Sequence, residues 1–287
     1  MRRLGMVLAG MVIVAACQPA SPTAPHGGET SAFQPSASVV TPAPASAPLP
    51  STESTLRIVI LGDSIATGGE GAGNESFGIP YANGIAKLTG RIVGLDVLAD
   101  PSETSASLAD HVRNRTTLRA KLAAADIVVI TVGGNDGDPF GTYPRGTCAV
   151  GGDSDSCLAA YAPDLEANLD RILTEIDALR GAQPTLVRLT SPDYDAFIGL
   201  KPTPDLPPFP KDFGLTFYRE VAEAETAVAC RVAANHGVGC VDFYHAFNGA
   251  DGRADPGSLL AADHLHPSAA GRELIAKLLL DLGVRAA

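Results

Sequence analysis

Apolar residues in this chain fall into short unbroken runs separated by longer segments of mixed polarity. Leu56 to Leu61 reads Leu-Arg-Ile-Val-Ile-Leu and stops at Gly62. Ile127 to Val132 reads Ile-Val-Val-Ile-Thr-Val and stops at Gly133-Gly134. Runs of β-branched residues and leucine this short, bounded by glycine, predict strands covered on both faces, as in a parallel sheet. Ile92–Ala99, Thr185–Leu189 and Val238–Phe243 are expected to add three more strands. Between them the pattern turns helical. The expected helices are Ile79–Leu88, with Pro80 in its first turn, Ser102–Ala125, capped by Thr104 or Ser105, and Asp164–Leu179. Phe217–Asn235, stopped by Gly237, and Ser268–Leu282 complete the set. Strands and helices alternate five times with no internal repeat, so the fold class is α/β with a parallel sheet.

The first 55 residues do not share this pattern. Residues 1–16 carry Arg2 and Arg3 followed by an apolar stretch, Leu4 to Ala16, too short to span a membrane as a stable anchor. That is the layout of an export signal. Its end, Val14-Ala15-Ala16-Cys17, resembles the bacterial lipobox, in which the cysteine is lipidated and becomes the mature N-terminus; the alternative is a plain signal peptide ending near a cysteine. Residues 17–55, from the expected lipidated Cys17 onward, are rich in Pro, Ala, Ser and Thr and lack apolar periodicity, so they read as a disordered tether. Extended at ~3 Å per residue, the tether reaches on the order of 100 Å. The folded domain is expected over residues 56–287.

Charge narrows the partners. The chain carries a formal net charge of −11, and loss of Arg2 and Arg3 with the signal takes it to −13. No Lys/Arg cluster appears, which argues against nucleic acid and against charge-driven docking on anionic lipid. Membrane attachment is expected through the N-terminal lipid alone, and no obligate protein partner is evident. Beyond Cys17 the cysteines are Cys148, Cys157, Cys230 and Cys240. In an exported chain these favour disulfides, and the local pairing, Cys148–Cys157 with Cys230–Cys240, closes two short loops. A zinc site is discounted because the close C-x-x-C spacing is missing.

The chemistry collects where strands end. Ser64 follows the first strand, Asn135 the third, and Asp263 and His266 the fifth. In open parallel sheets ligand sites lie outside the carboxyl ends of the strands. A serine nucleophile needs a base, and the base needs a carboxylate to fix its tautomer. Asp-x-x-His lets Asp263 accept from His266 Nδ1–H in one tight turn and leaves Nε2 for Ser64. The Ser64 backbone N–H and the Asn135 amide are candidate oxyanion donors. A metal at Asp263, His264 and His266 is discounted, since ligands so close in sequence do not converge easily. His111, His236 and His245 show no carboxylate at comparable spacing and read as surface or satisfied core residues. Thr67–Gly73 matches no phosphate-binding pattern and reads as a flexible loop beside the site. Two longer loops, Gly137–Ser156 and the Pro-rich Asp193–Asp212, are expected at the rim. Leu206, Phe209 and Phe213 in the second either line an acyl pocket or pin the loop to the core.

Gly62-Asp63-Ser64, Gly133-Gly134-Asn135-Asp136 and Asp263-His264-Leu265-His266-Pro267, in this order and context, resemble the blocks of the SGNH (GDSL-type) hydrolase family. The resemblance covers the whole folded domain. It implies a three-layer αβα sandwich of flavodoxin-like type, with a five-stranded parallel sheet in the order 2-1-3-4-5. It implies Ser64 as nucleophile, Asp263 and His266 as acid and base, and Ser64, Ser102 and Asn135 as oxyanion donors. Ser102 stands where the family's second block places a glycine, a departure that bears on acyl preference. Ser64-Ile65 in place of Ser-Leu is a mild one.

The expected function is an exported, membrane-tethered serine esterase acting on carboxylic esters through an acyl-enzyme, without metal or organic cofactor. Its substrates would be small acyl esters, lipids or acetylated sugars. Carbohydrate O-acetyl ester hydrolysis on polysaccharide is the alternative within enzymes, and a catalytically inactive binding lipoprotein that keeps the fold is the alternative outside them.

Overall fold

Five parallel strands in the order β2-β1-β3-β4-β5 form the centre of the computed structural model, which describes residues 55–69, 75–137, 154–199 and 213–284. They are β1 (Leu56–Gly62), β2 (Val93–Ala99), β3 (Ile127–Thr131), β4 (Leu186–Thr190) and β5 (Gly239–Val241). The order is the one the resemblance implied. It reverses between β1 and β3, which pair directly with Gly62 opposite Thr131.

The unbroken apolar runs are explained by burial on both faces. Ile58 and Ile60 of β1 and Ile127 and Val129 of β3 point into one core layer. Val59, Leu61, Val128 and Ile130 point into the other. Each of these side chains is at most 1% exposed, a burial that stabilises by ~1.5–3 kcal/mol per side chain. The first layer is closed by α2 (Gly78–Thr89), α7 (Phe243–Asn248) and α8 (Ala269–Asp281). The second is closed by α3 (Ser105–Asn114), α4 (Thr116–Ala124), α5 (Ser154–Arg180) and α6 (Arg219–Asn235). A single turn, α1 (Ser64–Thr67), follows β1 directly.

Several boundaries differ from those expected. The helix expected over Ser102–Ala125 is two helices, α3 and α4, hinged at Arg115 in extended conformation. No Gly or Pro marks the break. The Arg119 guanidinium stabilises it by donating to the carbonyls of Val112 and Arg113, which end α3. The helix expected from Asp164 begins ten residues earlier and runs through Pro163. Buried Cys157 and the Tyr161–Glu225 hydrogen bond fasten that added stretch. The expected fifth strand is shorter, because Asp242 caps α7 by accepting from His245 N. A π-helical turn, Phe213–Tyr218, precedes α6.

Cys230 and Cys240 are disulfide-bonded, Cα–Cα 5.2 Å, tying α6 to β5. Closing a loop of this size contributes ~2–3 kcal/mol by restricting the unfolded chain. Cys157 is buried and disulfide-bonded, while Cys148, its expected partner, lies outside the described residues, as do Cys17, the signal segment and the tether. Leu206 and Phe209 lie outside them too, and the Phe213 side chain is not described. The start of the Pro-rich loop is less a wall than core: Tyr194, Asp195, Ala196, Phe197 and Ile198 are buried, and Asn248 of α7 exchanges hydrogen bonds with the Asp195 backbone. Among the described residues no helix is long and apolar enough to cross a membrane.

Candidate active site

Gly62 ends β1 with φ +145°, a region L side chains rarely adopt. A Cβ there would sit 1.9 Å from the Thr131 carbonyl oxygen, so only glycine lets β1 close onto β3. Asp63 N donates to that same oxygen at 3.1 Å. The Asp63 carboxylate turns inward and caps α1 by accepting from Ile65 N at 3.0 Å. Ser64 is then the first residue of the turn, partly buried, and its carbonyl accepts from Gly68 N, Gly69 N and Thr67 Oγ1. Asp63 is therefore a structural member of the motif and Ser64 the one presented.

Asp263 and His266 stand on the loop that leads into α8. Leu260 and Pro267 bridge to close it, Ala261 N donates to His266 O at 2.8 Å, and Ser268 Oγ donates to Ser258 O while capping α8. At the tip His264 takes φ +58°, the one described non-glycine residue in that region. This turn lets the Asp263 carboxylate face back along the chain. Its Oδ1 accepts from Leu265 N and His266 N, each at 3.0 Å, and its Oδ2 pairs with His266 Nδ1 at 2.8 Å. Burial pushes the Asp263 carboxyl up, but these hydrogen bonds outweigh it and hold the group below its ordinary value. A proton on Nδ1 leaves Nε2 as the free lone pair.

The two halves meet at Gly69. A Cβ on that residue would lie 2.5 Å from His266 Cγ and 2.7 Å from Nδ1. The ring, 13% exposed, thus lies across the turn that begins with Ser64. Among the described residues Ser64 Oγ and His266 Nε2 are not hydrogen-bonded to each other, a spacing ordinary for a site without substrate.

Asn135 reaches the segment after β2. Its amide donates to Glu103 O at 2.9 Å and to Pro101 O at 3.3 Å, one residue either side of Ser102. Asp136 fixes the same region by accepting from Ser105 N at 2.7 Å and from Ser105 Oγ, itself bonded by Asn168. The structure thus brings Asn135 and Ser102 together. The Ser102 N–H is engaged in this structure, donating to Asp100 Oδ1 at 3.1 Å. The Ser102 side chain is exposed.

Beneath these groups lies a set of buried carboxyls that the sequence reading did not single out. Asp193 accepts from Tyr194 N at 2.8 Å and from the Tyr218 hydroxyl, and would stand 3.0 Å from a Cβ on Gly134. Burial raises its pKa to about 6, against those hydrogen bonds and the pull of His266. Burial likewise raises Asp63 and Glu225 well above their usual range. The sequence signal was a carboxylate directly after Ser-Pro at the end of β4.

The other histidines correct an expectation. His245 does have a carboxylate at Asp-x-x-His spacing: its Nδ1 pairs with Asp242 Oδ2 at 2.7 Å, which raises its pKa. That dyad belongs to the cap of α7, with Nε2 turned to Glu223 at 4.0 Å. His111 pairs with Glu103 at 3.1 Å and His236 with Asp170 at 2.9 Å. Among the described residues no three His, Cys, Asp or Glu side chains converge as metal ligands.

The model of the GDSL-like lipase/acylhydrolase family matches residues 60–274, which span all three motif turns. Among curated proteins no relative matches the chain. Among solved structures the fold is similar to the lipase Lip_vut3 from a goat rumen metagenome, with TM-score 0.59 and 21% identity over 80% of this chain and 99% of that one. It is similar also to a variant of an acetyl xylan esterase from Geobacillus stearothermophilus, with TM-score 0.56 and 19% identity over 82% and 98%. A lipase/acylhydrolase from Enterococcus faecalis aligns with TM-score 0.50 and 23% identity over 79% and 94%.

Proposed function

Since the chain belongs to the GDSL-like lipase/acylhydrolase family of ester-hydrolysing enzymes, we propose that it is an exported serine esterase using Ser64, His266 and Asp263. The observation that supports this most is the Asp263–His266 pair lying against Gly69 of the Ser64 turn. Ser64 Oγ attacks the ester carbonyl carbon while His266 Nε2 takes its proton. Asp263 holds the imidazole in the required tautomer and stabilises the imidazolium. The negative charge that develops on the carbonyl oxygen is met by the Ser64 N–H and by the Asn135 amide, which turns one N–H from its longer bond, to Pro101 O at 3.3 Å, to the oxyanion. Ser102 N–H completes the set by exchanging its Asp100 partner for the oxyanion. Such donors are worth ~3–4 kcal/mol each in the transition state. Collapse breaks the bond to the alcohol, which leaves with the proton from His266. Water, activated by the same imidazole, then frees the acid and regenerates Ser64.

A second reading, hydrolysis of O-acetyl groups on polysaccharide, is favoured by the Ser102 side chain at the acyl wall, which leaves less room than glycine. The structural likeness to an acetyl xylan esterase is in keeping with it. In either case residues 1–55 supply export and a lipid-anchored tether through Cys17.

Hydrolysis of nitrophenyl esters from acetyl to palmitoyl, with wild type beside Ser64→Ala, tests the proposal. Activity that vanishes in the variant supports the serine mechanism, and the chain-length profile sizes the acyl site. Equal activity in both proteins overturns it. Inert wild type on every nitrophenyl ester, but release of acetate from acetylated xylan, favours the second reading.

A further inference from the structure

The loop that carries Asp263 and His266 is closed at its base by the Leu260–Pro267 bridge, but its tip stands at the surface, with Leu265 and Asp263 exposed. Among the described residues one hydrogen bond ties that tip to the buried frame of the sheet: the Tyr194 hydroxyl donates to the Leu265 carbonyl at 2.7 Å. Leu265 is the residue immediately before His266. We propose that Tyr194 is a positioning residue for His266, setting the height of the loop tip so that the imidazole meets the Ser64 turn. The inference rests on the reading of His266 as the base.

Tyr194 is built for such a role. Its ring is fully buried, stacked on Phe247 with centroids 4.4 Å apart, and meets Phe243 edge-on at 5.9 Å. Two packed neighbours leave the hydroxyl little angular freedom. Its backbone is held as well, because Tyr194 N donates to the Asp193 carboxylate. That carboxylate also takes the Tyr218 hydroxyl and lies against Gly134, next to Asn135. One dipeptide at the end of β4 therefore touches the Asn135 turn through Asp193 and the His266 loop through Tyr194. Burial and the nearby Asp193, Asp263 and Asp63 carboxylates raise the phenol far above its ordinary pKa, so it stays a donor at every working pH. Without this bond the tip retains its own turn but loses its reference to the sheet. A displacement near 1 Å at a reacting group costs roughly a hundredfold in rate.

The test is Tyr194→Phe in the full chain, which deletes the hydroxyl and keeps both ring contacts. Two readouts apply: kcat and KM on nitrophenyl acetate, and the low-field proton resonance of His266 Nδ1–H, assigned by its loss in His266→Ala. The expected result is kcat lower by about ten- to fiftyfold with KM within about twofold, together with a broadened or lost resonance. A tyrosine that serves only stability lowers the melting temperature and moves neither readout in the folded protein. With an active wild type, either readout unchanged overturns the inference. With a wild type inert on nitrophenyl esters and on acetylated xylan alike, a changed resonance overturns the esterase reading alone, and an unchanged one overturns both. Should Tyr194→Phe not fold, Phe247→Leu loosens the stacked ring while keeping the hydroxyl. It is read by the same two measurements, with an expected fall of about fivefold.

Discussion

The imidazole of His266 lies over the α-carbon of Gly69, so close that a methyl group there would stand 2.5 Å from Cγ. Gly69, in the turn that begins with Ser64, is thus part of the seat of His266. Gly69→Ala is expected to push the ring off the turn and lower kcat by about a hundredfold or more. At φ +85° alanine also carries a backbone cost of about 1–2 kcal/mol. Kinetics beside a thermal melt separates the effects: a fold that melts a few degrees lower yet keeps full kcat contradicts the contact.

Two Asp-x-x-His dyads are present, and chemistry is assigned to one. Asp263→Asn is expected to lower kcat by about 10³–10⁴-fold through the wrong tautomer of His266. Asp242→Ala is expected to leave kcat within about twofold and to destabilise the α7 cap by ~1 kcal/mol. The reverse pattern would move the base to His245.

Asp193 titrates at about 6 in the folded chain against 3.8 in the reference, so folding strengthens its hold on the proton. This group's contribution to stability is therefore fully present below pH ~4 and is lost as the pH rises through about 6, by about 3 kcal/mol. Asp63, Glu225 and Asp195 are shifted the same way by burial and add to the slope. Asp193→Asn is expected to flatten the fall between pH 4 and pH 7 by about that amount in denaturant melts. Parallel curves for the two proteins contradict the assignment.

In the proposed oxyanion hole, Asp100 would compete with substrate for the Ser102 N–H, to which it is bonded at 3.1 Å. An exposed hydrogen bond is worth ~1 kcal/mol net, so Asp100→Ala is expected to raise kcat by up to about fivefold with KM little changed. A fall in kcat instead means that Asp100 orients this donor rather than withholding it.

The strands were legible because double burial writes itself as an unbroken apolar run, and β1 and β3 have few polar positions to obscure it. The three motif turns were legible because each ends such a run or opens a capped helix. What escaped lay in contacts between distant segments. The hinge at Arg115 is made by Arg119 reaching back to α3, which no Gly or Pro announces. The first ten residues of α5 open with Ser-Asp-Ser and carry only Cys157, Leu158 and Tyr161 as large apolar side chains, and Pro163 reads as a stop. They are held in part by Tyr161 meeting Glu225 of α6. His245 was passed over although Asp242 stands at the same spacing that singled out His266. The tie from Tyr194 to Leu265 spans 71 residues and leaves no local pattern at all.

Gly62 carries a lesson about transplantation. Its φ and its clearance of the Thr131 oxygen mean that the glycine of the nucleophile motif answers to the neighbouring strand, not to the serine it precedes. Gly-Asp-Ser is therefore not a portable cassette. Grafting it onto another scaffold requires the adjacent parallel strand to come with it, in a register that puts a carbonyl where the missing side chain would have been.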